Sequence, residues 1–151
     1  MQTIRIAYST GVFPIGPLVK LFTWSKWSHV VLLTDENTGI EATVLNGVQE
    51  VSFEYILNDS KELFIVEYEV VDSKAIIEAA RSQIGKKYDF TALIGILFHH
   101  DWADEDKWFC SELVAFSFMK GGSPLFRKDS VNRITPEDLW KCKGSDIGKV
   151  K

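Results

Sequence analysis

The apolar residues of this chain change their spacing once, near residue 70, and that change constrains the fold more than any motif does. Before it they fall in short runs that read as strands. Thr3 to Tyr8 sets Ile4 and Ile6 on one face, and His29 to Leu33 is a β-branched and aliphatic run. Leu63 to Val70 places Phe64, Val66, Tyr68 and Val70 opposite Glu67 and Glu69. The turn-forming stretch Asp35 to Gly39 leads into Ile40 to Leu45, and the tight-turn dipeptide Asn46-Gly47 leads into Val48 to Phe53. The spacing predicts an antiparallel meander.

Beyond residue 70 the spacing is helical. Ser73 is the expected N-cap of a helix over Lys74 to Ile84, which carries Ile76, Ala79, Ala80 and Ile84 on one side and stops at Gly85. Phe90 to Phe98 is apolar all round, as in a helix buried on several faces or a segment of an apolar wall. A third helix is expected from Cys110 to Met119, ending at Gly121-Gly122. A short fourth follows Thr135, where Pro136 needs no N–H and Glu137 and Asp138 meet the positive helix end. Strands in succession followed by a block of helices predict an α+β fold rather than alternating α/β.

At 151 residues, with no repeat, low-complexity tract or linker, the chain is expected to form one domain over 1–151. Its 17 basic and 21 acidic residues give a net charge of -4 with no sustained basic run, which argues against nucleic acid as a partner. Met1 to Tyr8 lacks the charged start and apolar run of a secretory signal, and no stretch reaches the roughly 20 apolar residues of a membrane-spanning helix. Two cysteines, Cys110 and Cys142, are too few for a disulfide framework. A soluble protein of the reducing cytosol is the expectation, with both thiols free.

No cofactor is indicated. The glycines are dispersed and form no phosphate-binding loop. His99, His100 and Asp101 are the only hint of metal ligands, but adjacent histidines diverge on a helix or a strand and no cluster completes a site.

Cys110 begins the third helix, in Trp108-Phe109-Cys110-Ser111-Glu112-Leu113-Val114. A thiol there meets unpaired N–H groups and the positive end of the helix dipole, which favour the thiolate. From position alone, the same residue also suits a small buried apolar role. His29, at the start of a strand, can act as general base if the fold brings it to Cys110; otherwise it is an ordinary hydrogen-bonded strand side chain. Glu41 is the carboxylate on the next strand. Positions 29 and 41 can share a face, but they lie directly opposite only if the turn centres on Asp35, so Thr43 or Glu50 are alternative polar partners. Cys142, between Lys141 and Lys143, has no base nearby in sequence.

The order of these segments resembles a known family. A strand histidine in Trp27-Ser28-His29-Val30-Val31, a polar residue on the next strand and a late Cys110-Ser111-Glu112-Leu113-Val114 helix are similar to the circularly permuted, NlpC-like branch of the papain-fold cysteine hydrolases. Within it the YiiX-type subgroup is nearest, and lecithin–retinol acyltransferase-like proteins are more distant. Gly85-Lys86-Lys87-Tyr88-Asp89-Phe90 resembles the subgroup's Gly-x-x-Tyr-Asp element, and Ile134-Thr135-Pro136-Glu137-Asp138-Leu139 follows as it does there. The match covers about residues 25 to 140.

The resemblance implies a papain-like α+β fold, an antiparallel sheet packed against a helical layer. It implies Cys110 as nucleophile, His29 as base and later acid, and Glu41 as the residue that orients the imidazole. Tyr88, Trp27 and Trp108 fall beside these segments and are candidates for substrate contact, as aromatic side chains can hold a peptide or acyl chain. The expected activity is cleavage of a peptide or isopeptide amide through an acyl-enzyme. Two alternatives are a lipid-directed acyltransferase or lipase with the same residues, suggested by Phe90 to Phe98, and a catalytically silent binding domain.

Overall fold

The runs Thr3 to Tyr8, His29 to Leu33 and Leu63 to Val70 become neighbouring strands at the centre of a six-stranded antiparallel sheet. The computed structural model describes residues 1–11, 26–43, 46–88, 107–108, 110–126 and 134–151. Its strands are β1 (Gln2–Gly11), β2 (His29–Leu33), β3 (Thr38–Thr43), β4 (Gly47–Ser52), β5 (Ser60–Val70) and, late in the chain, β8 (Ser145–Lys149). The order across the sheet is β4-β3-β2-β1-β5-β8. Two short strands, β6 (Lys87–Tyr88) and β7 (Lys107–Trp108), pair in parallel just before the Cys110 helix.

Alternation gives the sheet two apolar faces. Ile4, Ile6, Tyr8, Val30, Leu32, Ile40, Ala42, Val66, Tyr68 and Val70 face the helical layer, where Ile76, Ala80, Leu113, Val114, Phe118 and Leu139 close the main core. That layer comprises α2 (Ser73–Arg81), α3 (Cys110–Lys120) and α4 (Pro136–Trp140). On the other face Ala7, Val31, Leu33, Leu63 and Ile65 pack beneath Ile56 of a short helix, α1 (Phe53–Asp59). The sheet and helical layer match the α+β reading.

Several elements differ from the sequence reading at their edges. The N-cap of α2 is Asp72, whose carboxylate accepts from the Ala75 N–H at 3.0 Å, rather than Ser73; the helix ends at Arg81, short of Ile84. The segment from Phe53 is a helix instead of the end of a strand, because Ser52 caps it by accepting from the Tyr55 N–H at 3.1 Å. Gly121, just past α3, approaches α2 so closely that a Cβ there would lie 2.2 Å from Ile76 Cγ1. Thr135 and Asp138 form a reciprocal capping box at α4, as the Thr-Pro-Glu-Asp pattern suggests. The apolar run Phe90 to Phe98 and the pair His99-His100 with Asp101 lie outside the described residues.

Candidate active site

The site begins with backbone register. β1 pairs with β2 so that Ser9 lies opposite His29, and the Ser28 N–H donates to the Ser9 carbonyl at 3.1 Å. Just upstream, the Trp27 ring is 3% exposed and packs at ring-centroid distances of 6.2 Å from Tyr8, 5.1 Å from Trp140 and 6.2 Å from Phe64. This burial fixes the entry of β2 and with it the Cα of His29. It also makes Trp27 a core side chain beside the site.

β2 and β3 pair only at Leu32–Ile40 and Leu33–Gly39, so their hairpin centres on Glu36. Extended outward, that register sets Glu41 opposite Val31, one diagonal step from His29. Diagonal neighbours across a sheet remain within reach of long side chains. The Glu41 carboxylate bridges the step: its Oε2 lies 2.7 Å from His29 Nε2, with the Glu41 side chain 3% exposed and that of His29 19% exposed. The alternatives considered from sequence are engaged elsewhere. Glu50 pairs with Arg81 at 3.0 Å, and Thr43 Oγ1 accepts from the Asn46 N–H at 3.2 Å.

The other partner of the imidazole is Cys110. With Nε2 turned to Glu41, Nδ1 is the ring nitrogen left for Cys110, whose side chain is close enough to raise the His29 pKa. Cys110 opens α3, a helix buried through Cys110, Ser111, Glu112, Leu113, Val114 and Ala115, and is itself 1% exposed. Its first turn is fixed to α4, because Ser111 Oγ donates to the Ile134 carbonyl immediately before the Thr135 capping box. A residue early in the chain and one far along it thus meet through two anchored elements.

Electrostatics follow from this geometry. Burial works against a charged imidazole, but the interactions of the ring with Cys110 and with Glu41, whose carboxylate accepts from it, outweigh this, and the His29 pKa is pushed from 6.5 up to about 10. Burial likewise opposes ionisation of Glu41, yet the His29 contact and a hydrogen bond from Gln49 hold its carboxyl below the ordinary value. Gln49 was not singled out from the sequence. It is the register partner of Glu41 across β3 and β4, and its Nε2 donates to Glu41 Oε1 at 2.9 Å.

Cys142 has a different environment. Its Sγ lies 3.4 Å from the Asp138 carbonyl, and burial and the Asp138 charge push its thiol up, in contrast to the thiolate-favouring effect its two lysine neighbours suggest. Lys141 is instead 3.7 Å from Glu137. The backbones of Tyr88 and Trp108 are paired between β6 and β7, while their side chains fall outside the described features. Both cysteines are free of disulfide.

Sequence comparison matches residues 13–138 to the model of the permuted papain-like amidase enzymes, the YaeF/YiiX, C92 family. The chain belongs to that family. Membership gives it the permuted papain-like fold of that family. A curated relative, the probable lipoprotein peptidase YaeF of Escherichia coli (strain K12), is 27% identical over 177 residues, an alignment covering 95% of this chain. The chain spans 63% of the length of that relative. Among solved structures, the metalloprotein yiiX from Escherichia coli O157:H7 superposes with a TM-score of 0.73 at 15% identity, covering 98% of this chain and 97% of that one. This last likeness shows the fold. Among the described residues, no three His, Cys, Asp or Glu side chains are grouped as metal ligands, and no helix is long and apolar enough to cross a membrane.

Proposed function

We propose that the chain is a thiol hydrolase that cleaves an amide bond, in a peptide or an isopeptide, with Cys110 as nucleophile, His29 as base and acid, and Glu41 as the orienting carboxylate. The observation that carries this reading is the His29 ring held between Glu41 and Cys110. A ring fixed by a carboxylate on one nitrogen and facing a thiol with the other is the arrangement that activates a weak nucleophile.

In the first half-reaction the proton of Cys110 passes to His29 and Sγ attacks the carbonyl carbon, whose π electrons move to oxygen. As the tetrahedral adduct collapses, the C–N bond breaks and imidazolium returns its proton to the leaving amine. In the second half-reaction His29 takes a proton from water as its oxygen adds to the thioester carbon, the C–S bond of the tetrahedral adduct breaks with its electron pair going to sulfur, and imidazolium returns the proton to Sγ, releasing the acid and restoring Cys110. The Cys110 backbone N–H, at the first helical residue and without an intrahelical acceptor, supplies one donor to the oxyanion. Tyr88 and Trp108 remain proposed substrate contacts.

Two free thiols support a reducing, cytosolic setting. Fractionation of cells that make the protein tests it, with recovery in the membrane fraction as the contrary result. For the chemistry, a panel of peptide, isopeptide and acyl-lipid substrates is incubated with the protein, quenched in acid and examined by intact mass. A thioester adduct on Cys110, formed from an amide substrate and absent from Cys110→Ala, is expected. Adducts only from acyl-lipids would move the reading to a lipase or acyltransferase, and product formation by Cys110→Ala would remove the thiol from the mechanism.

A further inference from the structure

The Glu41 carboxylate is nearly sealed from solvent, and its two oxygens serve different partners: Oε2 faces His29 at 2.7 Å, and Oε1 accepts from Gln49 Nε2 at 2.9 Å. Gln49 stands directly opposite Glu41 in the β3–β4 ladder, so its backbone is set by the same register. The Gln49 side chain also lies close enough to Tyr55, on α1, to act on its hydroxyl. The chain of contacts thus runs Cys110, His29, Glu41, Gln49, Tyr55, from the helical layer to the helix on the opposite face of the sheet.

We infer that Gln49 is a positioning residue, its amide holding the Glu41 carboxylate in the orientation that receives His29, with Tyr55 steadying the amide from α1. The inference rests on the reading of His29 and Glu41 as a catalytic pair. The physical reason is that a buried carboxylate with one oxygen unpaired either rotates to find a donor or takes up a proton, and each response weakens its hold on the imidazole. An amide is suited to this place because it donates without carrying charge, so it satisfies Oε1 without competing with His29 for the ion pair. Among the described residues, the charged or titratable groups around the pair are Cys110 from α3, and Tyr55 and Asp59 from α1, the last close enough to interact electrostatically with both His29 and Glu41.

The experiment compares the parent with Gln49→Leu, which keeps bulk and loses the donor, and Gln49→Asn, which keeps an amide but is one methylene shorter. The first readout is the His29 titration followed by NMR, which needs no turnover. The second is the rate of Cys110 alkylation by iodoacetamide at neutral pH. A third, if a substrate is in hand, is the split between kcat and KM. We expect the His29 midpoint to fall by about one pH unit in both variants and alkylation to slow about tenfold, with kcat lowered and KM nearly unchanged. Tyr55→Phe should shift the midpoint in the same direction by less. An unchanged His29 midpoint in either folded Gln49 variant overturns the inference, and Gln49→Asn decides the matter if Gln49→Leu does not fold. A parent protein that labels but cleaves nothing would defeat the catalytic reading while the midpoint still tests Gln49.

Discussion

Replacing Glu41 by Gln is the sharpest perturbation of the site, because it removes one charge and almost no volume. The carboxylate is 3% exposed and 2.7 Å from His29 Nε2, so water cannot substitute for it. A hydrogen bond to a charged group contributes about 1.5–3 kcal/mol net. A difference of 1.36 kcal/mol between protonation states moves a midpoint by about one pH unit. The His29 midpoint, about 10 in the parent, should therefore drop to about 8–9 in Glu41→Gln. The side-chain carbonyl of the new glutamine can still accept from Nε2, so the ring stays in place and the change reports charge. The assay is an NMR titration of the imidazole, with His29 assigned by comparison with His29→Ala and folding checked by circular dichroism. A midpoint in Glu41→Gln equal to that of the parent would refute the reasoning, because it would mean that the carboxylate does not stabilise imidazolium.

The same two groups shape the dependence of stability on pH. His29 has a raised folded pKa, so its contribution is fully present below about 6.5 and is lost as pH rises through about 10. Glu41 has a lowered folded pKa, so its contribution is present above about 4.5 and is lost as pH falls through the folded value. Thermal melts across pH should accordingly show the combined contribution greatest between about 4.5 and 6.5, with an alkaline decline that is weaker in Glu41→Gln; parallel curves for the two proteins would contradict this. Gly47→Ala should destabilise by more than about 1 kcal/mol in urea titrations, since φ is +66° and a Cβ would lie 2.1 Å from the Lys86 carbonyl oxygen; an unchanged midpoint would count against that close approach.

Much of this architecture is legible in the sequence because the local signals agree with the tertiary outcome. The alternation of Ile4, Ile6 and Tyr8, and of Phe64, Val66, Tyr68 and Val70, survives as one helix-facing surface. The Cys-Ser-Glu-Leu-Val helix begins at Cys110 and stops before Gly121, as its spacing indicates. Glu41 was harder to place because the Asp35–Gly39 turn chemistry allows more than one hairpin centre, and only the register centred on Glu36 makes the pair diagonal.

Gln49 was hidden for a related reason. A tight turn at Asn46-Gly47 suggests a different pairing from the one observed, in which Gly47 is already opposite Thr43 and Gln49 opposite Glu41. α1 spans seven residues, too few to be stable alone, and gains its order from packing Ile56 against Val31, Leu33 and Leu63. β8 is exposed over most of its length and is a strand because its backbone pairs with the edge of β5, which leaves little periodicity to read.

The most direct test of the central claim, that His29 activates Cys110, is site-resolved alkylation. The parent and His29→Ala are treated with substoichiometric iodoacetamide at neutral pH, and label at Cys110 and Cys142 is quantified by peptide mass spectrometry. The account predicts preferential labelling of Cys110 in the parent, although it is more buried than Cys142, and loss of that preference in His29→Ala. Equal labelling of the two thiols in both proteins would contradict it.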